Sequence, residues 1–138
     1  MTHTLRRIQC TLVAVALVVA CTSRPPLRTM PSGLRVRVLA KGTGTAARAG
    51  QQVTIHETTT LPSGGLIYTS RGGSPITFRL GGNQVISGVD EGVTGMRVGE
   101  RRLLVVPPAL SRRAAYPANT PPDSTLHIDV ELIQIRPN

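Results

Sequence analysis

Apolar and polar residues alternate along several short segments of this 138-residue chain, and the alternation limits what the chain can fold into. The clearest case is residues 126–132 (LHIDVEL), and residues 34–38, 53–57 and 76–80 show the same pattern. A period of two places alternate side chains on opposite faces, as in a strand with one buried face. The sequence therefore predicts a mostly antiparallel sheet.

Glycine and proline mark where the strands turn, since the chain holds 14 Gly and 11 Pro. Residues 62–65 (PSGG) predict a hairpin turn with a return strand at 66–69, and Pro107-Pro108 ends a strand at 101–106. Only residues 85–96 have a helical pattern, and their three glycines limit it to a turn or two. The expected class is α+β, a curled sheet with one short helix.

The N-terminus has the pattern of a secretion signal. Arg6 and Arg7 precede an unbroken apolar run at 12–20 (LVAVALVVA), which is too short to span a bilayer but has the size of a signal-peptide core. The run ends in VVAC at 18–21, which resembles a bacterial lipobox with Cys21 as the lipid attachment site. The alternative is an ordinary secretory signal with a coincidental cysteine.

The lipobox interpretation divides the chain into three parts. Residues 1–20 are the signal peptide, 21–31 a proline-punctuated tether, and 32–138 one continuous domain. Cys10 leaves with the signal and Cys21 carries lipid, so no disulfide is expected within the mature chain. The expected location is the cell envelope, with a membrane-anchored lipoprotein facing the periplasm or the cell exterior.

The net charge of +9 raises the question of an anionic partner, because 16 basic residues face only 7 acidic ones. The basic residues are dispersed along the chain, and three aromatic residues cannot build a base-stacking platform. Together with export, this predicts no nucleic-acid partner. An arginine-rich surface that docks to anionic lipid or polymer stays open as an additional role.

Residues for acid–base or metal chemistry are sparse. His56 and His127 stand alone on predicted strands, and no cysteine or histidine spacing suits a metal. The adjacent Asp90 and Glu91 point in different directions on a helix, so they form no opposed carboxylate pair. No metal and no cofactor are expected, and a hydrolase or transferase has no candidate machinery.

A set of short motifs then occurs in a fixed order between residues 32 and 126. The set consists of Ser32-Gly33-Leu34-Arg35, Gly42-Thr43-Gly44, 50–56 (GQQVTIH), 84–88 (QVISG), Glu91-Gly92, 95–102 (GMRVGERR) and 121–126 (PPDSTL). This order resembles the signature of FKBP-type peptidyl-prolyl cis–trans isomerases, the macrolide-binding immunophilins. The resemblance spans roughly residues 32–136, essentially the whole predicted domain.

The resemblance implies an antiparallel sheet of five or six strands curled around one short helix, with a shallow pocket between them. It also accounts for the missing machinery. An Xaa-Pro bond isomerises over a barrier of about 18–20 kcal/mol, and its twisted transition state is less charge-separated than the planar amide. An apolar pocket that fits the twisted form lowers this barrier without acid, base or metal.

Family members ring this pocket mainly with aromatic residues, most of which are replaced here. Glu57 stands at the strand tyrosine, Val89 at the tryptophan and Arg112 near the loop tyrosine, whereas Val85 and Ile86 are retained. The backbone N–H of Ile86 is expected to hold a substrate carbonyl. The substrate-binding residues implied by the resemblance are Glu57, Ile67, Tyr68, Ile76, Val85, Ile86, Val89, Tyr116 and Ile128.

Two functional interpretations follow from these replacements. In the first, the pocket stays apolar but wider, Tyr68 or Tyr116 partly fills it, and isomerase activity survives at a reduced rate. In the second, the fold is kept and catalysis is lost, which leaves a binding or chaperone-like lipoprotein. In both, the expected partners are proline-containing polypeptides and, through the lipid, the membrane, and we expect a monomer.

Overall fold

The computed structural model describes residues 23–113 and 115–137, so the predicted signal peptide and Cys21 lie outside the described residues. This part of the chain holds seven β-strands, one α-helix and one short 3₁₀-helix. In chain order they are β1 (Arg28–Thr29), β2 (Arg35–Ala40), β3 (Gln52–Thr60), β4 (Leu66–Thr69), β5 (Ile76–Arg79), α1 (Ser87–Val93), β6 (Arg101–Val106), the 3₁₀-helix (Pro108–Leu110) and β7 (Leu126–Arg136).

All strands join one antiparallel sheet in the order β1-β2-β6-β7-β3-β4, and β5 also pairs with β3. The long pairing of β3 with β7 is the centre of the sheet, where Thr59 lies opposite Ile128 and Glu57 opposite Val130. The predicted α+β class and curled antiparallel sheet are confirmed. The expected count of five or six strands was too low, because the two-residue β1 is too short for a periodic pattern.

Strand β1 also shows that the sheet begins before the predicted domain boundary at residue 32. Arg28 and Thr29, from the segment predicted as a tether, pair with Val36 and Arg35 of β2. Met30 next to them packs against the hydrophobic core. The chain is therefore fixed to the edge of the sheet from residue 28 onward.

The core lies between the sheet and α1. The even-numbered residues of β7 from Leu126 to Leu132 are almost completely buried, as the alternation predicts. Helix α1 approaches β6 through two glycines: a Cβ added to Gly88 would lie 2.5 Å from Val106 Cγ1, and one added to Gly92 would lie 2.4 Å from Leu104 Cδ1. These two residues leave room for no side chain, so they set the distance between helix and sheet.

Helix α1 is shorter than the segment 85–96 that the pattern indicated. Ile86 precedes it with an extended backbone, and Gly95 follows its last turn with a φ of +83°, which favours glycine. Asp90 fixes the helix to the preceding loop, since its carboxylate accepts the N–H of Gly81 at 2.8 Å. Within 23–113 and 115–137, no helix is both long and apolar enough to cross a membrane.

Candidate functional site

An open groove of about 430 Å³ lies where the start of α1 faces the sheet. Five of its residues are apolar, and we call them the apolar lining: Ile76 of β5, Val85 and Ile86 before α1, Val89 of α1, and Ile128 of β7. Val89 is 2% exposed and Ile128 is 1% exposed, so both also belong to the core. The apolar lining is thus part of the packed interior that opens to solvent.

The start of α1 supplies a hydrogen-bond donor to this groove. Ile86 is the N-cap residue, and its carbonyl accepts the N–H groups of Val89 and Asp90 at 3.0 and 3.1 Å. Among the described residues, nothing accepts the N–H of Ile86 itself. Because the first N–H groups of a helix have no partner inside it, this donor is available to a ligand carbonyl.

Three charged residues also line the groove, and we call them the charged lining: Glu57 of β3, and Arg112 and Arg113 in the loop that follows the 3₁₀-helix. Burial raises the pKa of the Glu57 carboxyl above its ordinary value of 4.5, while the positive charge of Arg113 partly lowers it again. Within the described residues the Glu57 carboxylate has neither a salt bridge nor a hydrogen-bond donor. An ionised Glu57 therefore depends on water and on the charge of Arg113.

The backbone of Glu57 is held firmly even though its side chain is not. The hydroxyl of the buried Ser70 accepts the Glu57 N–H at 2.9 Å, and the Ser70 N–H donates to the Glu57 carbonyl at 2.9 Å. Ser70 Oγ also lies 3.0 Å from His56 Nδ1. These contacts fix where β3 presents the carboxylate to the groove.

Six of the nine predicted substrate-binding residues line this one groove, and the other three do not. Ile67 and Tyr68 line a neighbouring depression of about 370 Å³ that shares Glu57 and Arg113 with the groove. Tyr116 lines another, of about 280 Å³, beside Arg112 and Arg113. Tyr68 is 44% exposed and does not line the main groove. The first functional interpretation expected Tyr68 or Tyr116 to fill part of the groove, and neither residue lines it.

Several lining residues were missed by the sequence reasoning. Thr59 lies two positions after Glu57 on β3, so the strand period already places both side chains on one face. Asn83 and Gln84 precede Val85 directly. For Arg113 the sequence offered one indication, because it follows Arg112, which was predicted to lie near the pocket. The loop has no periodic pattern that would predict its position near Glu57.

The chemistry of the groove is that of binding and desolvation. It offers apolar surface and an open backbone N–H. Within residues 23–113 and 115–137, no three His, Cys, Asp or Glu side chains gather in a group that could hold a metal ion. A planar amide placed against this surface would lose water around its carbonyl, which favours the twisted over the charge-separated form.

Comparison with known proteins gives the same picture. The family model described as FKBP-type peptidyl-prolyl cis-trans isomerase matches residues 43–133. Peptidyl-prolyl cis-trans isomerase FKBP15-3 of Arabidopsis thaliana is 40% identical over 107 residues, 75% of this chain and 75% of that protein. FK506-binding protein 4 of Mycosarcoma maydis is 38% identical over 115 residues, which cover 83% of this chain.

The chain spans only 31% of the length of that Mycosarcoma maydis relative. Among solved structures, AtFKBP13 superposes with a TM-score of 0.70 at 33% identity, covering 80% of this chain and 99% of that one. These findings point to the same family: the family model covers more than half of the chain. The Arabidopsis thaliana relative FKBP15-3 matches over 75% of its own length, and the solved structure is an FKBP as well. The chain belongs to the FKBP-type peptidyl-prolyl cis-trans isomerase family.

Proposed function

We propose that this protein catalyses cis–trans isomerisation of Xaa-Pro bonds in exported polypeptides, at a lower rate than an aromatic-lined pocket would support. One observation carries the proposal: the open N–H of Ile86 borders the apolar lining of the groove. The donor would hold a substrate carbonyl while Val89, Ile76 and Ile128 remove water from the prolyl amide. Binding the twisted amide better than the planar one is sufficient for catalysis.

The reduced rate follows from what lines the groove. The apolar lining is entirely aliphatic, and aromatic side chains would supply more contact area than Val89 or Ile128. Glu57 and Arg113 bring water and charge to the same space. Both features weaken the preference for a desolvated, twisted amide.

The charged lining also favours a second candidate function. If the groove stays too wet for catalysis, it still offers apolar and charged surface to an extended polypeptide. The protein would then act as a binding or chaperone-like module with the family fold.

The direct test is a protease-coupled assay of the purified full-length chain in mild detergent with Ala-Leu-Pro-Phe peptides. We expect acceleration over the spontaneous rate at micromolar protein, and Ile76→Asp should abolish it, because a charge would enter the apolar lining at a residue that is only partly buried. Absence of any acceleration would overturn the isomerase proposal. Suppression of aggregation of an unfolded client by the same preparation would then support the second function.

We propose further that the protein works in the cell envelope, held to a membrane by lipid on Cys21, with the domain at the periplasmic or outer surface. The VVAC sequence at 18–21 behind an apolar run supports this location. Cys21→Ser should move the protein from the membrane to the soluble fraction. Unchanged fractionation of this variant would contradict lipid anchoring, while sedimentation of the released protein would test the expected monomer.

A further inference from the structure

Three arginines of the described residues form salt bridges with carboxylates, and the two that line the groove do not. On the sheet and beside α1, these three are paired with carboxylates: Arg101 with Asp129 at 2.5 Å, Arg71 with Glu131 at 2.9 Å, and Arg102 with Glu100 at 2.6 Å. Arg112 and Arg113 form no such salt bridge within the described residues. Both are exposed, and both line the groove.

Arg112 and Arg113 lie where the groove meets the two neighbouring depressions. Arg113 lines the groove and both neighbouring depressions, and Arg112 lines the groove and the depression around Tyr116. A polypeptide that places its proline on the apolar lining and continues into either depression must therefore pass a guanidinium group. Among the described residues, Glu57 is the carboxylate that lines the groove with them, so two guanidinium groups face one carboxylate there. Asp123 lines the depression around Tyr116, where the two arginines again outnumber the single carboxylate.

We propose that Arg112 and Arg113 make the groove selective for segments in which an acidic residue immediately precedes the proline. The proposal rests on the proposed function and names the substrate class of that site. A guanidinium group binds a carboxylate through two parallel hydrogen bonds, and the interaction is stronger in a partly enclosed groove than on open surface. The same charges repel a lysine at that position.

Glu57 modulates this preference from inside the groove. When ionised, it competes with the substrate carboxylate for Arg113 and repels it. Removing its charge with Glu57→Gln should therefore raise the preference for acidic peptides. Loss of either arginine should lower it.

The test compares four peptides, Ala-Xaa-Pro-Phe with Glu, Gln, Leu or Lys as Xaa, on the purified full-length chain. We expect kcat/KM for Glu to exceed that for Gln by about fivefold, with Lys below Gln. The Glu/Gln ratio should fall toward one when the salt concentration rises from about 0.02 M to about 0.5 M. In the double variant R112A/R113A the ratio should be close to one at low salt.

Arg35→Ala is the matched control, because Arg35 is exposed on β2 and lines neither the groove nor the depressions. It removes one positive charge, as R112A alone or R113A alone does and half of what R112A/R113A removes, and it should keep the Glu/Gln ratio. A ratio of one in the unmodified protein, or an equal loss of ratio in R35A and R112A/R113A, would overturn the proposal.

Failure of the proposed function gives a different pattern, since no peptide would then be turned over. In that case fluorescence polarisation of the labelled peptides measures binding alone. Tighter binding of the Glu peptide than of the Gln peptide, lost in R112A/R113A, would uphold the selectivity without catalysis. Equal binding of the two would overturn it.

Discussion

The apolar lining and the charged lining of the groove come from parts of the molecule with different structural duties. Val89 and Ile128 belong to the core: β7 is paired along both edges, by β3 and β6, and α1 packs against the sheet. Arg112 and Arg113 lie in the loop between the 3₁₀-helix and β7, where they are exposed. Glu57 is intermediate: Ser70 fixes its backbone, and within residues 23–113 and 115–137 its carboxylate forms no hydrogen bond or salt bridge.

The two linings therefore differ in which property of the protein they affect, folding stability or substrate preference. Substitutions at Val89 or Ile128 affect core packing as well as the groove, so under the proposed function the binding surface for proline is tied to the fold. Arg112 and Arg113 are exposed and can change at little cost in stability, so we expect substrate preference to be decided there. Variants in the two linings should therefore affect different measurements.

The largest effect is expected from Gly88→Ala, which should lower the free energy of unfolding by about 1–3 kcal/mol. Its Cβ would lie 2.5 Å from Val106 Cγ1 and 3.3 Å from the Leu110 carbonyl oxygen, and a β-branched valine cannot easily move away. The shift of α1 would also displace Ile86 and Val89, so kcat/KM should fall. Urea unfolding and the peptide assay measure both.

Ser87→Ala is the control for Gly88→Ala, because Ser87 is exposed at the start of the same helix. It should change stability little. A Gly88→Ala variant as stable and active as the unmodified protein would show that the helix is not held at its present distance by this contact.

A second variant tests the aliphatic character of the apolar lining. Val89→Trp would extend a large aromatic surface toward the open groove, and we expect kcat/KM for the Leu-Pro peptide to rise about three- to tenfold. Because Val89 is also a core residue, urea unfolding of the variant measures the cost in packing separately. Val89→Leu adds apolar volume without a ring and is the matched comparison. A rate for Val89→Trp at or below that of Val89→Leu would contradict the view that aromatic contact area limits the activity.

The sequence was informative where packing imposes a period and uninformative where it does not. The alternation at 126–132 placed the first seven residues of β7, which continues to Arg136. The motif at 84–88 contains Val85 and Ile86, and the family resemblance supplied the other three residues of the apolar lining. Arg113 and Glu57 lie far apart in the chain, and Arg113 belongs to a loop without a periodic pattern. No local sequence pattern could therefore predict that these two residues line the same groove. For the same reason, Tyr116 could not be assigned to one depression rather than another.

The pH dependence of kcat/KM should show whether the charge of Glu57 affects catalysis. As pH rises through the raised pKa of Glu57, its carboxyl ionises and draws water into the groove. For the neutral Leu-Pro peptide we expect kcat/KM to fall about two- to threefold over this range. Glu57→Gln should flatten the profile, whereas a fall that persists in Glu57→Gln would show that Glu57 is not the group responsible.

The same pKa shift has a consequence for stability. Because the folded pKa of Glu57 lies above its unfolded value, ionisation costs more in the folded protein, and stability falls as pH rises from the unfolded pKa to the folded pKa. The cost is fully present above the folded pKa. Glu57→Gln should therefore be more stable than the unmodified protein at pH 7 and lose this advantage below the ordinary carboxyl pKa of 4.5. Equal gains at both pH values would attribute the effect to packing.

The smallest expected effect is the coupling free energy between the side chains of Glu57 and Arg113. Arg113→Ala alone should change the free energy of unfolding by less than about 0.5 kcal/mol, because the residue is exposed and makes no salt bridge within the described part of the chain. In a double-mutant cycle with Glu57→Gln, we expect a favourable coupling of a few tenths of a kcal/mol at pH 7 that salt reduces. A coupling that survives high salt would indicate direct contact between the two side chains. The charged lining would then be part of the packed structure, and its separation from the apolar lining would be lost.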